Sequence, residues 1–491
     1  MNDDLLDMSL CEVAQAIRRK KISSLEVTRA CLERAKAVQP AVNCFIALEE
    51  DEALGAARAA DRAVKRGAKL GPLHGVPLAH KDMFYRAGRI STGGSKILRD
   101  YRPSVTATVV ERLAAAGAIW LGNLNMAEFA ANPTGHNEHW GDCCNPWHTA
   151  HITGGSSSGS GAAVAARTCY GALGSDTGGS IRLPAAANGV VGIKPTYGRV
   201  SRHAILPRVW SLDTVGPLTR TVRDCARILS VIAGRDPFDP TASAEPVPNY
   251  ERLLDRRIKG LKIGVPRNHY YDGVTPDVRR RMEDSLAVLR SLGARVIELD
   301  VPDPQHTYHL TNAIGQVESA TIYANWLRER PEDFSLVVRT RTEAGMLVPA
   351  VSYLEALNAR PRITAEFVQQ VFGAVDVLHT PVMVMPVPTR AETIPGGSGG
   401  VMDMLAKITR NTRPINFLGL PSLAVPAGFA DNGLPVAFQL VGRPFAEDVL
   451  LRIGDAFQSE TDWHTHAPSM DSMSARVPAT ERVSTREKQT A

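Results

Sequence analysis

The sequence carries GGSSSGSG at residues 154–161, and this run leads directly into a helix-like stretch of small residues at 162–167. Taken alone, a run of only Gly and Ser is typical of a flexible linker. A linker joins domains, whereas this run lies between strand-like and helical stretches that belong to one continuous core. Its backbone can approach a ligand closely, adopt positive φ and direct N–H groups from a helix N-terminus at an anion. The run is therefore suited to an oxyanion or phosphate site.

A second Gly/Ser cluster, DTGGSIR at residues 176–182, follows a strand-like run. A serine on a sharp turn after a strand is exposed, and two preceding glycines let backbone N–H groups converge on a developing oxyanion. Ser180 is therefore a candidate nucleophile, with an ordinary glycine turn as the alternative. Lys81 ends the apolar run GVPLAHK at 75–81 and is a candidate base, because burial lowers the proton affinity of a lysine. The alternative for Lys81 is a surface lysine at a strand end.

Three other interpretations of these residues are weaker. The pattern G-x-S-x-G at 155–159 would make Ser157 the elbow serine of an α/β-hydrolase, but the preceding HTAHIT at 148–153 is a poor buried strand. The pattern G-x-G at 159–161 begins a dinucleotide fingerprint, but Val164 stands where the third glycine belongs. No Walker A sequence is present, and no lysine has a serine three residues before it, which excludes an S-x-x-K nucleophile.

Composition excludes several classes of protein. The 491 residues carry a formal net charge of +5 and are 44% hydrophobic, which is typical of a globular protein and not of a fibrous or disordered one. No Lys/Arg-rich block offers a nucleic-acid footprint, so we expect no nucleic acid partner. The seven cysteines form no C-x-x-C pair and the histidines no H-E-x-x-H pattern, so we expect no metal. The N-terminus is acidic and no run of about 18 apolar residues follows, so we expect no membrane partner and a cytoplasmic location.

Periodicity and capping divide the chain into three parts. Residues 1–70 predict an N-terminal helical segment packed on the core, with a second helix that ends before Pro40. Residues 71–468 predict the main domain, in which short strands alternate with small-residue helices. Within it, the Gly-rich run 395–400 predicts a surface loop that is either a lid or a connector. The polar tail 469–491 is expected to be disordered.

Lys81, residues 154–161 and residues 176–184 together resemble, in their order and spacing, the amidase signature family. The resemblance covers roughly residues 5–465, is densest over 71–235 and is loosest over about 240–410, the region where members of the family differ most. It implies a single amidase domain with an α/β/α layered fold around a large twisted mixed sheet. It also implies that neither a metal nor an organic cofactor is needed.

The resemblance assigns roles to individual residues of this sequence. It implies a Ser–cis-Ser–Lys triad in which Ser180 is the nucleophile, Ser156 the bridging serine after a cis peptide bond, and Lys81 the base. It implies an oxyanion hole made by the backbone N–H groups of Thr177, Gly178, Gly179 and Ser180. It further implies that the lysine and the loop are held by Ser157, Asp176 and Arg182.

The resemblance also implies an activity. Members are amidohydrolases, so we expect cleavage of an aryl or alkyl carboxamide, a carbamate or an ester through a serine acyl-enzyme. Residues 131–141 are more similar to free-standing amidases, whereas KPTYGRV at 194–200 matches the glutaminase branch of the glutamyl-tRNA amidotransferases. We therefore expect a free-standing enzyme whose partner is a small-molecule amide. The alternative is the glutamine-hydrolysing subunit of a tRNA-dependent amidotransferase.

Two further points concern the site and the assembly. A non-catalytic binding protein is disfavoured, because all three triad positions hold the required residue types. The substrate pocket is expected at Met126, Phe129, Trp210 and residues 314–323, with ordinary core packing as the alternative. Their apolar and aromatic character favours an uncharged aryl or alkyl acyl group. Whether the chain is a monomer or a homodimer stays open.

Overall fold

The computed structural model describes residues 3–394 and 400–474. In chain order, the strands of this part are β1 (Phe45–Leu48), β2 (Pro77–Lys81), β3 (Ile119–Leu124), β4 (Gly171–Asp176), β5 (Val191–Lys194), β6 (Thr214–Thr219), β7 (Lys262–Pro266), β8 (Arg295–Leu299), β9 (Val377–Pro381), β10 (Ser422–Phe429) and β11 (Pro435–Gly442). All eleven belong to one sheet, in the order β1-β3-β2-β4-β6-β5-β10-β11-β9-β7-β8. The predicted fold around a large mixed sheet is confirmed.

The sheet contains two parallel groups within an otherwise antiparallel arrangement. Strand β2 pairs in parallel with β3 and β4, and β7 pairs in parallel with β8 and β9. Antiparallel pairing links β4 to β6, β6 to β5, and β5 through β10 and β11 to β9. Because neighbouring parallel strands run in the same direction, the carboxyl ends of β2 and β4 meet at one edge of the sheet. The candidate base and the candidate nucleophile loop follow these two ends.

Sixteen α-helices surround the sheet in the described part of the chain. In chain order they are α1 (Asp3–Asp7), α2 (Leu10–Arg18), α3 (Ser24–Val42), α4 (Glu50–Lys65), α5 (Thr108–Ala115), α6 (Ser158–Ala165), α7 (Arg182–Asn188), α8 (Val222–Ile232), α9 (Pro276–Ser291), α10 (Pro304–Glu329), α11 (Leu336–Glu343), α12 (Ala350–Ala374), α13 (Val401–Thr409), α14 (Arg413–Leu418), α15 (Glu447–Ser459) and α16 (Met470–Ser474). The region 304–374 is thus almost entirely helical.

Helices α6 and α7 pack closely against each other at the centre of the fold. Both consist of small residues and are completely buried. A Cβ atom added to Gly161 of α6 would lie 2.8 Å from the carbonyl oxygen of Pro184 in α7, which is too close for any side chain. The Gly/Ser run is therefore part of a packed core, and the linker interpretation is wrong.

Two predictions for the N-terminal segment need correction. Helix α3 continues past Pro40 to Val42, because proline in the last turn removes only its own N–H bond. The helix then ends at Asn43, whose left-handed backbone directs its N–H to the carbonyl oxygen of Gln39 at 2.9 Å. The segment is also not purely helical, since β1 pairs with β3 at the edge of the sheet.

The C-terminal predictions are tested only in part. Residues 469–474 are ordered, contrary to the prediction of a disordered tail, because α16 packs on α3 and buries Met473. Residues 475–491 lie outside the described residues, as do residues 395–399 of the expected lid or connector. Within 3–394 and 400–474, no helix combines the length and the apolar character needed to cross a membrane.

Candidate active site

Lys81 is the last residue of β2, and the parallel pairing with β4 brings it beside Ser175. Its Nζ atom lies 2.7 Å from Oγ of Ser156 and 2.9 Å from Oγ of Ser175, and the side chain is fully buried. This burial lowers the pKa of Lys81 to about 7, although the charges of Asp213 and Asp176 oppose the shift. A large fraction of Lys81 is therefore neutral near pH 7 and able to accept a proton.

Ser156 directly precedes the Ser157 cap of α6, and the peptide bond between Gly155 and Ser156 is cis, as the resemblance implies. The backbone here is tightly enclosed, since a Cβ atom added to Gly155 would lie 2.6 Å from the carbonyl oxygen of Asn132. The hydroxyl of Ser157 donates to the carbonyl oxygen of Ser175 and accepts from its N–H, each at 3.3 Å. Ser157 thus ties the start of α6 to the end of β4 and sets the position of Ser156 relative to Lys81.

Asp176 and Arg182 form a fully buried ion pair that spans the turn after β4, with Nε of Arg182 3.0 Å from Oδ2 of Asp176. Arg182 also donates to side-chain oxygens of Gln439 and Asn416 and to the carbonyl oxygen of Thr412. Burial alone would raise the pKa of Asp176, but the charge and hydrogen bonds of Arg182 outweigh it and hold the pKa well below its usual range. The pair therefore fixes the conformation of the turn that carries Ser180.

The expected set of oxyanion-hole donors needs one correction. The N–H of Gly179 donates to Oδ1 of Asp176 at 2.7 Å, so it is committed within the protein and does not face a substrate. Thr177, Gly178 and Ser180 line the adjacent cavity, and their N–H groups remain the candidate donors. Only glycine fits at 179, because its φ is +127° and a Cβ atom there would lie 2.5 Å from Oγ1 of Thr412.

Ser180 lies on the wall of a cavity of about 420 Å³ between the sheet edge and the helices of the variable region. Part of the lining comes from Gly315, Gln316 and Ser319 of α10, within the predicted segment 314–323. The other polar lining residues include three arginines, which the sequence did not single out: Arg208, Arg341 and Arg413.

The three single residues predicted for the substrate pocket lie elsewhere. Met126 is fully buried in the core, and Phe129 stacks on Tyr323 with ring centroids 4.5 Å apart. The backbone of Phe129 has a positive φ of 48°, a sharp turn that local pattern does not predict. Trp210 is 49% exposed and lines a separate cavity of about 230 Å³. Because none of the three lines the cavity of Ser180, their expected role in an apolar acyl pocket is wrong.

Two further polar residues next to the site escaped the sequence interpretation. Ser175 is the second hydroxyl within reach of Lys81, and its only signal is a polar residue near the end of a buried strand. Asp213 accepts from the hydroxyl of Thr177 and from the backbone N–H groups of Arg208 and Val209. It connects the nucleophile loop to the segment that carries Arg208.

Comparisons with known proteins agree with this geometry. A family model described as Amidase matches residues 26–451. The glutamyl-tRNA(Gln) amidotransferase protein of Geobacter metallireducens that bears the subunit letter A is 40% identical, over 94% of this chain and 99% of its own length. A solved structure of a vestigial protein complex, described as revealing the evolutionary origins of an s-triazine catabolic enzyme, is 34% identical with a TM-score of 0.86, over 92% of this chain and 98% of that chain. The peptide amidase from Stenotrophomonas maltophilia is 28% identical with a TM-score of 0.81, over 94% and 99%.

These comparisons overturn one expectation. We expected a small-molecule amide as the partner and no nucleic acid. The name of the curated relatives includes both a tRNA and a subunit designation, which contradicts that expectation. The absence of a Lys/Arg-rich block is a poor guide here, because one subunit needs no basic patch of its own when another holds the nucleic acid.

Proposed function

The chain belongs to the amidase family and is an enzyme that acts on amide C–N bonds, and we propose that it does so through an acyl-enzyme at Ser180. One observation carries this proposal. The Nζ atom of fully buried Lys81 lies 2.7 Å from Oγ of Ser156, next to the cavity that Ser180 lines. Burial provides a neutral lysine, and the short distance provides a path for its proton transfer.

The proposed first half-reaction forms an ester on Ser180. Neutral Lys81 takes a proton from Ser156, and Ser156 takes one from Ser180 while Oγ of Ser180 attacks the amide carbonyl carbon. The N–H groups of Gly178 and Ser180 stabilise the oxyanion, a contribution worth about 2.7–4 kcal/mol per donor in other enzymes. When the C–N bond breaks, the relay returns the proton to the leaving nitrogen, and ammonia or an amine departs.

The second half-reaction restores the enzyme. A water molecule gives its proton to the same relay and attacks the ester carbonyl carbon. Collapse of the tetrahedral intermediate breaks the bond to Oγ of Ser180, and the relay returns the proton to that oxygen. The carboxylic acid leaves, so the net reaction is hydrolysis of the amide. No step requires a group other than water and the residues of this chain.

We further propose that the chain is the glutamine-hydrolysing subunit of a tRNA-dependent amidotransferase rather than a free-standing amidase. The support is the 40% identity, over nearly the full length of both chains, to the glutamyl-tRNA(Gln) amidotransferase relatives of Geobacter metallireducens and Chloroflexus aggregans. The structure of their counterpart from Thermotoga maritima also matches, with a TM-score of 0.80. In this role the useful product of the half-reaction on Ser180 is ammonia.

The test measures product release from glutamine, a primary aliphatic amide, an anilide, a carbamate and an ester. We expect Ser180→Ala to lower turnover by at least about 10³-fold. Ser158→Ala is the matched control, because Ser158 is buried in the same Gly/Ser run but its hydroxyl only donates to the carbonyl oxygen of Asn125. Activity that survives Ser180→Ala would refute the acyl-enzyme at this residue.

The subunit role needs its own measurement. Glutamine hydrolysis is compared between the chain alone and the chain with tRNA and with proteins that co-purify with it from its source cells. We expect the rate to rise with these additions. A full rate for the chain alone, unchanged by tRNA or co-purifying proteins, would contradict the subunit role and leave the acyl-enzyme proposal intact.

A further inference from the structure

The cavity of Ser180 has an unusual charge distribution. Its described lining contains the three arginines Arg208, Arg341 and Arg413, which we call the arginine cluster, and no aspartate or glutamate. The three come from separate parts of the chain: the loop before β6, helix α11 and the first turn of α14. A cavity with several cations and no acid of its own favours an anion.

Arg208 is the most buried member of the cluster. It is only 9% exposed, and its Nη1 atom is buried without a hydrogen-bond partner among the described residues. Leaving a buried charged donor without a partner is costly, and buried polar groups are normally paired. Its backbone is held on both sides, since its N–H donates to Asp213 at 2.7 Å and its carbonyl oxygen accepts from Ser319 at 3.2 Å. The guanidinium is therefore held in place with unused donor capacity.

Arg413 lies directly against the nucleophile loop. A Cβ atom added to Gly178 would lie 3.2 Å from Cγ and 3.5 Å from Nε of Arg413. Its guanidinium hydrogen-bonds only to neutral groups, the side-chain oxygen of Asn312 and the hydroxyl of Tyr308. A positive charge thus lies against a residue two positions from Ser180 in the chain, and no carboxylate pairs with it among the described residues.

Arg341 completes the cluster from α11. Its Nη1 donates to the carbonyl oxygen of Ala131, which is also neutral. Burial, together with the charges of Arg413 and Arg208, lowers the pKa of Arg341 to about 9. The acid Asp213 faces Thr177 and the backbone of Arg208, so it does not offset the charge inside the cavity. Three guanidiniums that repel one another in one cavity are stabilised when an anion binds between them.

We infer that the arginine cluster binds a carboxylate at the acyl end of the substrate, and that the enzyme selects carboxylate-bearing primary amides with no requirement for an ammonium group. This inference rests on the proposed function, because it places the amide carbonyl at Ser180. Planar guanidiniums match a carboxylate through paired hydrogen bonds, which is the recognition that arginine provides and lysine does not.

The second half of the inference concerns the ammonium group. The polar lining besides the arginines consists of hydroxyls and side-chain amides, including Thr311, Gln316 and Thr409. These groups are neutral, and an ammonium placed among three guanidiniums meets net repulsion. The α-carboxylate of glutamine can use the cluster, but its ammonium gains no charged partner in the described lining. An amide with the carboxylate and without the ammonium should therefore react at least as well.

The first experiment compares amides that differ only in charge. We expect kcat/KM for glutaramate, which is glutamine without its ammonium, to equal or exceed that for glutamine. We expect neutral valeramide, in which a methyl group replaces the carboxylate, to be slower by about 10- to 150-fold, since hydrogen bonds to charged groups contribute on that scale. Malonamate and succinamate then show which spacing between amide and carboxylate fits. Equal rates for valeramide and glutaramate would overturn the inference.

The second experiment uses variants of the cluster. Arg341→Met should raise KM for glutaramate by about 10- to 150-fold and leave valeramide within about threefold, because methionine keeps the apolar volume and removes the donors. Arg341→Lys should recover only part of the loss. The matched control is Arg339→Met on the same helix, since Arg339 is 39% exposed and pairs with Glu343 at 2.7 Å. Equal loss on both substrates would indicate a structural role and refute the inference.

A binding measurement separates this inference from the proposed function. Ser180→Ala is titrated with glutaramate and valeramide by calorimetry, with and without Arg341→Met. Binding of glutaramate that disappears with Arg341→Met supports the carboxylate site even if no amide is hydrolysed, in which case only the proposed function fails. Hydrolysis that depends on Ser180 but shows no preference for a carboxylate means the reverse.

Discussion

The two sides of the cavity differ in how their charges are satisfied. On one side, which we call the catalytic side, Lys81 meets two serine hydroxyls, and Arg182 meets Asp176 and three further oxygens. On the other side, the arginine cluster has only neutral partners, and one donor atom of Arg208 is buried without any among the described residues. The catalytic side is complete without a ligand, whereas the arginine side needs an anion from outside. Chemistry and selectivity therefore have different structural sources in this enzyme.

The largest expected effect removes the base from the catalytic side. Lys81→Met should lower kcat by about 10²–10⁴-fold, because general base catalysis contributes on that scale, while the apolar side chain suits the buried position. The measurement is kcat on the best amide, with circular dichroism to confirm folding. The control is Lys194→Met, since Lys194 is equally buried but its Nζ donates to the carbonyl oxygen of Pro195 and not to a serine of the site. A similar loss in both variants would show that any buried lysine matters only for stability.

The second effect tests whether the catalytic side depends on its ion pair. Arg182→Met leaves Asp176 as a buried charge without its main partner, so we expect a loss of about 3–5 kcal/mol in the free energy of unfolding. On the arginine side, Arg339→Met breaks an exposed pair with Glu343 and should cost about 0–1 kcal/mol. Both values come from urea denaturation of otherwise identical proteins. Equal costs would mean that burial does not distinguish the two sides.

The two sides also differ in how far sequence alone predicts them. Residues 176–182 form a strand end, a turn and a helix start within one short segment, so local pattern is enough to predict the turn and Ser180. The arginine cluster is assembled from positions 208, 341 and 413, which no local pattern connects. Only the packing of α10, α11 and α14 brings them to one cavity. The same reason explains the failure at Phe129, whose ring is directed into an aromatic cluster by a turn with positive φ.

The edges of the fold show the same limit. Strand β1 has four residues between two helices, and its partner β3 lies more than seventy residues later in the chain. Such a strand has too few residues for a period, so its pairing depends on a long-range contact that the sequence does not display. The donors of the oxyanion hole are a finer case. The family pattern supplies the residues 177–180, but the direction of the Gly179 N–H toward Asp176 is a matter of geometry.

The smallest expected effect is a pH dependence that belongs to the catalytic side alone. The pKa of Lys81 is lowered to about 7, and catalysis needs its neutral form. Protonation below that pH removes the base, so kcat/KM should be level above about pH 8 and fall about tenfold per pH unit below about pH 6. Arg341 stays protonated throughout this range, because its pKa is about 9. The preference for glutaramate over valeramide should therefore not change between about pH 5.5 and about pH 8.

Two other buried groups titrate in the same range, and each has a test. Burial raises the pKa of Asp82 to about 7 and lowers the pKa of Lys194 to about 7. An ammonium group loses its proton with a large enthalpy and a carboxyl group with almost none, so a kinetic pKa that falls on warming points to a lysine. If Lys194→Met leaves that kinetic pKa in place, Lys81 is the group responsible. A rate that stays constant from about pH 8 down to about pH 5.5 would contradict neutral Lys81 as the base, because no protonated lysine can accept the proton of Ser156.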